Sequence, residues 1–255
     1  MSGTDVIVAS TAADADAAEA IKGHHAQLAG QLAVLTDAML WAVERGAAFE
    51  PPRAAALVFL TGELLPHAAA EEERLYPAAT HSERVRPLVE SMIAVHRIIG
   101  SLVERIRIEP PVRAAACGHA LRVLFDAHLV DENERLLPVV AADPDVSLVE
   151  VTHGMHELVG RADSANDAEP LHSCGCCESD ADDPVLDVRE VPHSIRHATV
   201  FGAFDAVPAG CALVLIAPHD PIPLLRQLDH RAAGRLEIQY EQRGPEAWRL
   251  RLNKR

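Results

Sequence analysis

The chain has 255 residues, which is long enough for two domains with separate cores. Its net charge of −15 at pH 7 disfavours nucleic acid or an anionic membrane as a partner. Both are negatively charged, and an acidic chain has no excess of basic residues to neutralise them. Apolar residues make up 49% of the chain and aromatic residues only 4%, which favours Ala- and Leu-rich helical packing. Without an evident membrane-spanning run or secretory signal, we expect a cytoplasmic protein.

A first helix is predicted from about residue 14 to residue 45. Its apolar residues recur at steps of three and four and form one stripe. His25 lies within that stripe, whereas His24 is turned ~100° away from it. The Pro51-Pro52 pair then starts the next helix.

The second helix is predicted over residues 53–79 and carries His67 and Glu71, four positions apart. Pro66 directly precedes the histidine. A proline inside a helix removes one backbone hydrogen bond, so we expect either a kink at this point or a break between two shorter helices.

Two further helices are predicted, one ending near residue 108 and one over residues 111–140. His96 lies on the apolar side of the third helix. On the fourth, His128 and Glu132 share a face with Cys117, which we expect to be a small buried core residue. His119 lies about half a turn away and is predicted to face water.

The second and fourth helices contain a repeated segment. Residues 67–77 (HAAAEEERLYP) and 128–138 (HLVDENERLLP) are identical at six of eleven positions, and each begins with His-x3-Glu. On a helix this spacing places the imidazole and the carboxylate on one face, about 6 Å apart along the axis. Such a pair suits one metal ion that takes both groups, or a carboxylate that bridges two ions.

The order of these features predicts the architecture of the N-terminal domain, residues 14–161. A lone histidine alternates with His-x3-Glu on four successive helices joined by short loops, which predicts an up-down-up-down four-helix bundle. Four buried imidazoles without partners would be costly, and a shared metal centre removes that cost.

Residues 14–142 resemble the HHE cation-binding branch of the hemerythrin family, and both copies of H-x3-E-[E/N]-x-x-L-[Y/L]-P carry the resemblance. The resemblance implies a non-haem di-iron centre in which two glutamates bridge the ions. Mn or Zn also suits such a nitrogen and oxygen donor set. The implied ligands are His25, His67, Glu71, His96, His128 and Glu132.

One position departs from the oxygen-carrying hemerythrins, which place a second histidine where this chain has Gly100. Together with a bridging hydroxide, the implied ligands then fill about ten of about twelve coordination positions on two octahedral irons. We therefore expect the centre to bind O2, NO or peroxide, and we favour redox or gas-sensing chemistry, fed by an unknown electron-donor protein, over O2 storage. Four residues are candidates to fill the remaining coordination positions, namely His24, Glu63, Tyr76 and Glu104.

Other functions stay open at this point, among them a reversible O2 carrier, a di-iron oxidoreductase and a metal-dependent regulatory module. An iron store or ferroxidase is weakly supported, because the only helix-compatible Glu-x-x-His, the motif of ferritin-like bundles, is Glu150 to His153, and it is not duplicated. A structural zinc site is disfavoured, because such sites usually use closely spaced Cys and His.

A fifth helix is predicted over about residues 145–161, with His153 and His156 on its surface. An acidic linker, residues 162–184, follows. It holds a candidate secondary metal or redox group, with unstructured thiols as the alternative. The five cysteines of the chain are expected to be thiols or ligands rather than a disulfide framework. The residues of the candidate group are His172, Cys174, Cys176 and Cys177.

Residues 185–255 are predicted to form a second domain, a two-layer α/β sandwich. Its elements follow the order βαβαββ, with strands at 185–189, 212–217, 236–242 and 248–252 and helices at 194–204 and 221–231.

This domain resembles the TusA/SirA sulfur-carrier fold, in an uncharacterised bacterial branch. The motifs that carry the resemblance are LDVRE at 186–190, HDP at 219–221 and GPEAWR at 244–249. Sulfur carriers have Cys-Pro after the first strand, where this chain has Pro192-His193, so persulfide transfer is not expected. Cys211 is predicted to be structural. His197 and His219 are expected to be surface residues rather than ligands.

Overall fold

The structure, a computed structural model, describes residues 9–155, 183–189, 191–207 and 209–255. The N-terminal part is mainly helical, as predicted. Residues 148–155 are the described part of α8. The other helices of this part are α1 (Ala12–Glu44), α2 (Glu50–Phe59), α3 (Leu65–Ala70), α4 (Tyr76–Ala79), α5 (Arg86–Ile108), α6 (Pro111–Asp131) and α7 (Leu137–Ala142).

Three short π-helical segments join some of these helices without a break. They lie at Leu60–Leu64, Glu71–Leu75 and Glu132–Leu136. Helical backbone therefore runs from residue 50 to residue 79 and from residue 111 to residue 142. Helix α1 packs against α2 and α6, and α5 packs against α6. The up-down-up-down order of the helices stays a prediction.

Each π-helical segment ends two residues before a proline, at Pro66, Pro77 and Pro138. A proline ring in an ordinary helix collides with the carbonyl group four residues earlier. The wider π turn relieves that collision and lets the helix continue. The expected break at Pro66 is therefore absent, because the preceding turn absorbs the proline.

Asp14 connects the start of α1 to the start of α8. Its side chain accepts a hydrogen bond from the Thr11 hydroxyl at 2.6 Å and another from the Leu148 backbone N–H at 2.8 Å. Thr11 in turn caps α1 by accepting the Asp14 backbone N–H at 3.1 Å. One buried carboxylate thus satisfies groups at two helix ends.

We expect Asp14→Ala to lower the melting temperature by several degrees at neutral pH. The hydrogen bond from Thr11 outweighs burial and lowers the pKa of Asp14 below its ordinary value of 3.8. Its contribution to stability is thus present above that value and lost as the pH falls through the lowered pKa. Melting curves at pH 7 and below pH 3.8 check this, with the exposed Asp16→Ala as control. A difference that persisted at the acidic pH would contradict the charge-based account.

The second unit is a small mixed four-stranded sheet with helices. The strand order is β1-β2-β4-β3, in which β1 runs parallel to β2 and the other two pairs are antiparallel. The elements follow the predicted succession, and the TusA-like identity stays a prediction. They are β1 (Val185–Asp187), α9 (His193–Ala206), β2 (Ala212–Ala217), α10 (Ile222–Arg231), β3 (Leu236–Arg243) and β4 (Trp248–Lys254).

One sequence-based expectation needs correction. Cys211 is disulfide-bonded, so the cysteines are not all thiols or ligands, whereas Cys117 is a buried free thiol as predicted.

Helix α1 is long and apolar enough to cross a membrane by length and composition, because its alanines raise the mean hydropathy of one 18-residue window to 1.2. Half of that window is buried inside the protein, as in the core helix of a soluble protein.

Candidate metal centre

A layer of polar side chains separates two apolar clusters in the helical part. On α1, His25 lies between Ile21 of one cluster and Leu28 of the other. On α5, His96 likewise lies between Met92 and Ile99. The imidazoles are therefore enclosed above and below by packed hydrocarbon, which keeps bulk water away from the layer.

The structure brings all six sequence-predicted residues into this layer, and all six are buried. Each comes from a helical position that the repeat and the apolar stripes place on the inner face. The six residues are His25, His67, Glu71, His96, His128 and Glu132.

Glu71 occupies the middle of the layer and faces histidines with both oxygens. Its Oε1 lies 2.7 Å from His67 Nε2 and 3.1 Å from His25 Nε2. Its Oε2 lies 3.5 Å from His96 Nε2. A carboxylate whose two oxygens face different imidazole sets has the arrangement that a bridge between two metal ions needs.

Two groups of side chains could each hold a metal ion, and they share Glu71. The first contains His25 and His67, and the second contains His96 and His128. Within each group the donor atoms lie within 4.8 Å of one another. The ligand set is thus divided into two halves joined by one carboxylate.

Glu132 shows that the layer suits a cation. The side chain is completely buried, and among the described residues neither carboxylate oxygen meets a partner in hydrogen-bond geometry. Its Oε2 faces His128 Nε2 at 3.4 Å and His25 Nε2 at 3.8 Å. A buried carboxylate without hydrogen bonds is unfavourable unless a positive charge compensates it. A metal ion between these side chains would supply that charge.

Two residues orient the lone histidines from outside the layer. The Nδ1 atom of His96 lies 2.9 Å from Glu72 Oε1, and that of His25 lies 2.8 Å from Asn133 Oδ1. An acceptor at Nδ1 holds the proton there and leaves the Nε2 lone pair directed at the centre. Sequence analysis did not assign these roles, although Glu72 and Asn133 occupy the same position of the repeat.

The two halves are not chemically equivalent. Glu72 is a carboxylate where Asn133 is an amide, and Tyr76 stands where the second copy has Leu137. Tyr76 is buried, with its hydroxyl 3.3 Å from His96 Nε2.

The ionisation of the centre follows from its burial and its close opposite charges. Burial lowers the pKa of His25, but the hydrogen bond to Glu71 and the charge of Glu132 outweigh it and raise the pKa to about 9. Burial raises the pKa of Glu71, but the facing His67 and His25 bring it well below its ordinary value. Burial also raises the pKa of Tyr76, so its phenol stays protonated.

The other candidates are distributed differently. Among those expected to fill the open coordination, Tyr76 is at the centre, whereas Glu63 and Glu104 are exposed. His24 is exposed too, although its ring lies 4.8 Å from that of His67. His119, His153, His197 and His219 are exposed, as predicted for surface residues. His156, His172, Cys174, Cys176 and Cys177 lie outside the described residues.

A helical domain with a buried layer of histidines and glutamates that can hold cations defines the class of the N-terminal part. Residues 16–140 match the hemerythrin HHE cation binding domain. Residues 185–254 match DUF2249, an uncharacterized conserved protein family. No curated protein and no solved structure matches the chain. The chain is therefore similar to the hemerythrin HHE domain over residues 16–140 and to DUF2249 over residues 185–254.

Proposed function

We propose that the helical domain holds two iron ions and binds, and reduces, a small oxidant such as O2, NO or peroxide. The observation that carries the proposal is Glu71, whose two oxygens face two separate histidine groups. Glu132, buried without hydrogen bonds, supports a second bridge. The mixture of imidazole and carboxylate donors suits iron.

Bound iron would supply redox chemistry and coordination positions for a small ligand. The chain's own contribution is to fix the donors. Glu72 and Asn133 hold the lone histidines in the orientation that directs Nε2 inward. The apolar clusters on both sides limit the access of water, which strengthens the electrostatic interactions inside.

Gly100 supports open coordination rather than saturated coordination. A Cβ atom at Gly100 would meet nothing within 4 Å, so packing does not enforce glycine there. The absence of an imidazole at this position is thus not imposed by packing around the Cβ position. We infer that the centre keeps positions for an exogenous ligand.

Tyr76 supports reactive chemistry over storage. Its phenol is buried, protonated and 3.3 Å from His96 Nε2, so it holds a proton at Oη beside the proposed ligand position. Reducing peroxide or NO consumes protons as well as electrons, and a phenol at this place can donate a hydrogen bond or a proton. The electrons would come from a separate donor protein.

The direct test is iron quantification with absorption spectra before and after addition of O2, peroxide and NO. We expect about two irons per chain and a spectrum that changes with at least one of these ligands. Turnover of peroxide or NO with a chemical reductant would support the redox function. A stable O2 complex that released O2 unchanged over many cycles would contradict it and favour a carrier.

Removal of one imidazole should weaken the centre. We expect His128→Ala to lose at least one of two irons, because His128 belongs to one of the two ligand groups. The matched control is His119→Ala on the same helix, where the histidine is exposed. Iron content per folded chain, with circular dichroism to check folding, measures the difference. Full iron content in His128→Ala would remove this residue from the ligand set.

A further inference from the structure

The DUF2249 domain is packed directly onto the helix that carries His25. Helices α1 and α9 cross at two glycines. A Cβ at Gly30 would lie 2.1 Å from the Ala203 backbone nitrogen, and one at Gly202 would lie 2.4 Å from the Ala26 carbonyl oxygen. The two backbones are therefore in contact, and no larger residue fits at either position.

Along the sequence, this crossing is adjacent to a residue of the proposed metal centre. The backbone carbonyl that Gly202 approaches belongs to Ala26, the residue that directly follows His25. A shift of α9 against α1 therefore acts on the peptide unit adjacent to a proposed ligand. Because an α-helix is stiff along its backbone, such a shift moves the His25 side chain with it.

The contact between the two units is apolar around the crossing. Ala33 of α1 is part of the buried core of the second unit, together with residues such as Phe204 and Leu186. Val34 and Val130 of the helical part pack against the same core. The second unit thus buries apolar surface of α1 and α6, as a docked domain does.

A cavity between the two units also reaches the hydrogen-bond partner of His25. A cavity of about 440 Å³ lies between the two units and is lined by Ile195 of α9 and by Leu129 and Asn133 of the helical part. Asn133 is the residue whose side chain lies 2.8 Å from His25 Nδ1. The DUF2249 domain therefore touches the backbone of α1 beside His25, and its Ile195 lines the same cavity as the side chain that orients the ring.

We propose that the DUF2249 domain is a docked control module that sets the position of His25 through the α1–α9 crossing. Docking keeps His25 aligned with Glu71, and release of the domain loosens the half of the centre to which His25 belongs. The statement about the metal rests on the proposed function, whereas the docking itself does not.

Docking is tested on the metal-free full chain. We expect Gly202→Leu to increase the radius of gyration in small-angle X-ray scattering and to speed amide exchange in α1. Gly62→Leu is the matched control, because a Cβ at Gly62 meets nothing within 4 Å. Gly30→Ala is a second variant, on the other helix of the crossing. It also should increase the radius of gyration and speed amide exchange in α1, and it serves as the test if Gly202→Leu fails to fold. Unchanged scattering and exchange in both crossing variants would overturn the docking.

Control of the centre is tested on the iron-loaded chain by the rate of iron transfer to a chelator. We expect release about tenfold faster in Gly202→Leu than in wild type or Gly62→Leu, the size typical for loss of outer support to a metal ligand. Equal rates in a variant shown to be undocked would overturn the control role. A wild-type chain that bound no iron would instead contradict the proposed function and leave the docking result standing.

Discussion

Glu71→Ala is expected to abolish binding of both iron ions, the largest effect of any single substitution in the centre. Glu71 is the one side chain that belongs to both groups of donors in the described part of the chain. Its removal deletes the bridge and leaves His25, whose pKa of about 9 depends on Glu71, facing the centre with less negative charge. Iron content of the purified variant measures the effect.

The matched control is Glu73→Ala, two residues away on the same π-helical segment. The Glu73 side chain is 59% exposed and pairs only loosely with Arg74, at 3.7 Å. It should therefore keep the wild-type iron content. Two irons in Glu71→Ala would mean that this carboxylate is not a bridge, and the two-ion arrangement would have to be abandoned.

Iron loading is expected to raise the melting temperature of the chain by about 10 °C at free iron 1,000-fold above the dissociation constant. Binding to the folded state alone stabilises it by about 4 kcal/mol under that condition. In a chain of this length each kcal/mol shifts the midpoint by about 2–4 °C. The physical source is coordination of the ion by side chains that only the folded state brings together, among them the buried Glu132.

Differential scanning calorimetry with and without iron checks this expectation, with chelator added to the metal-free sample. Glu71→Ala serves as the control, because it should show the same melting temperature in both samples. A wild-type midpoint that did not move with iron would show that the layer of histidines and glutamates does not bind the ion in the folded state.

Much of the helical part was predictable from residue patterns. The stripe of apolar residues at steps of three and four located α1, and the repeat of His-x3-Glu selected His67 and His128. The helical character is predictable because burial in a helix imposes a period that the sequence must follow. The ligand role of the two histidines stays a prediction. The lone histidines, His25 and His96, stand out as candidates because they are polar residues on the apolar stripes of their helices.

The π-helical segments and the outer hydrogen bonds were not predicted. From the sequence, Pro66 is expected to kink or break its helix, since a period of 3.6 gives no sign of one wide turn. The partnership of Glu72 with His96 joins separate helices, and only the packed arrangement brings the two side chains together. The shared position of Glu72 and Asn133 in the repeat was the available signal.

The docking of the second domain also lay beyond the sequence. Ala26, Gly30 and Ala33 on α1 look like ordinary small residues of an alanine-rich helix. Their role depends on Gly202, more than 160 positions away, and nothing in the local pattern couples the two. Long-range contacts of this kind are determined by shape complementarity, which periodicity does not encode.

The difference between Glu72 and Asn133 has a consequence for charge. The carboxylate behind His96 lends negative charge to that imidazole, whereas the neutral amide behind His25 lends none. Two ions held here would therefore meet unequal electrostatic environments, with the higher oxidation state favoured on the His96 side. The ion of lower charge would then be favoured beside His25, on the helix that packs against α9.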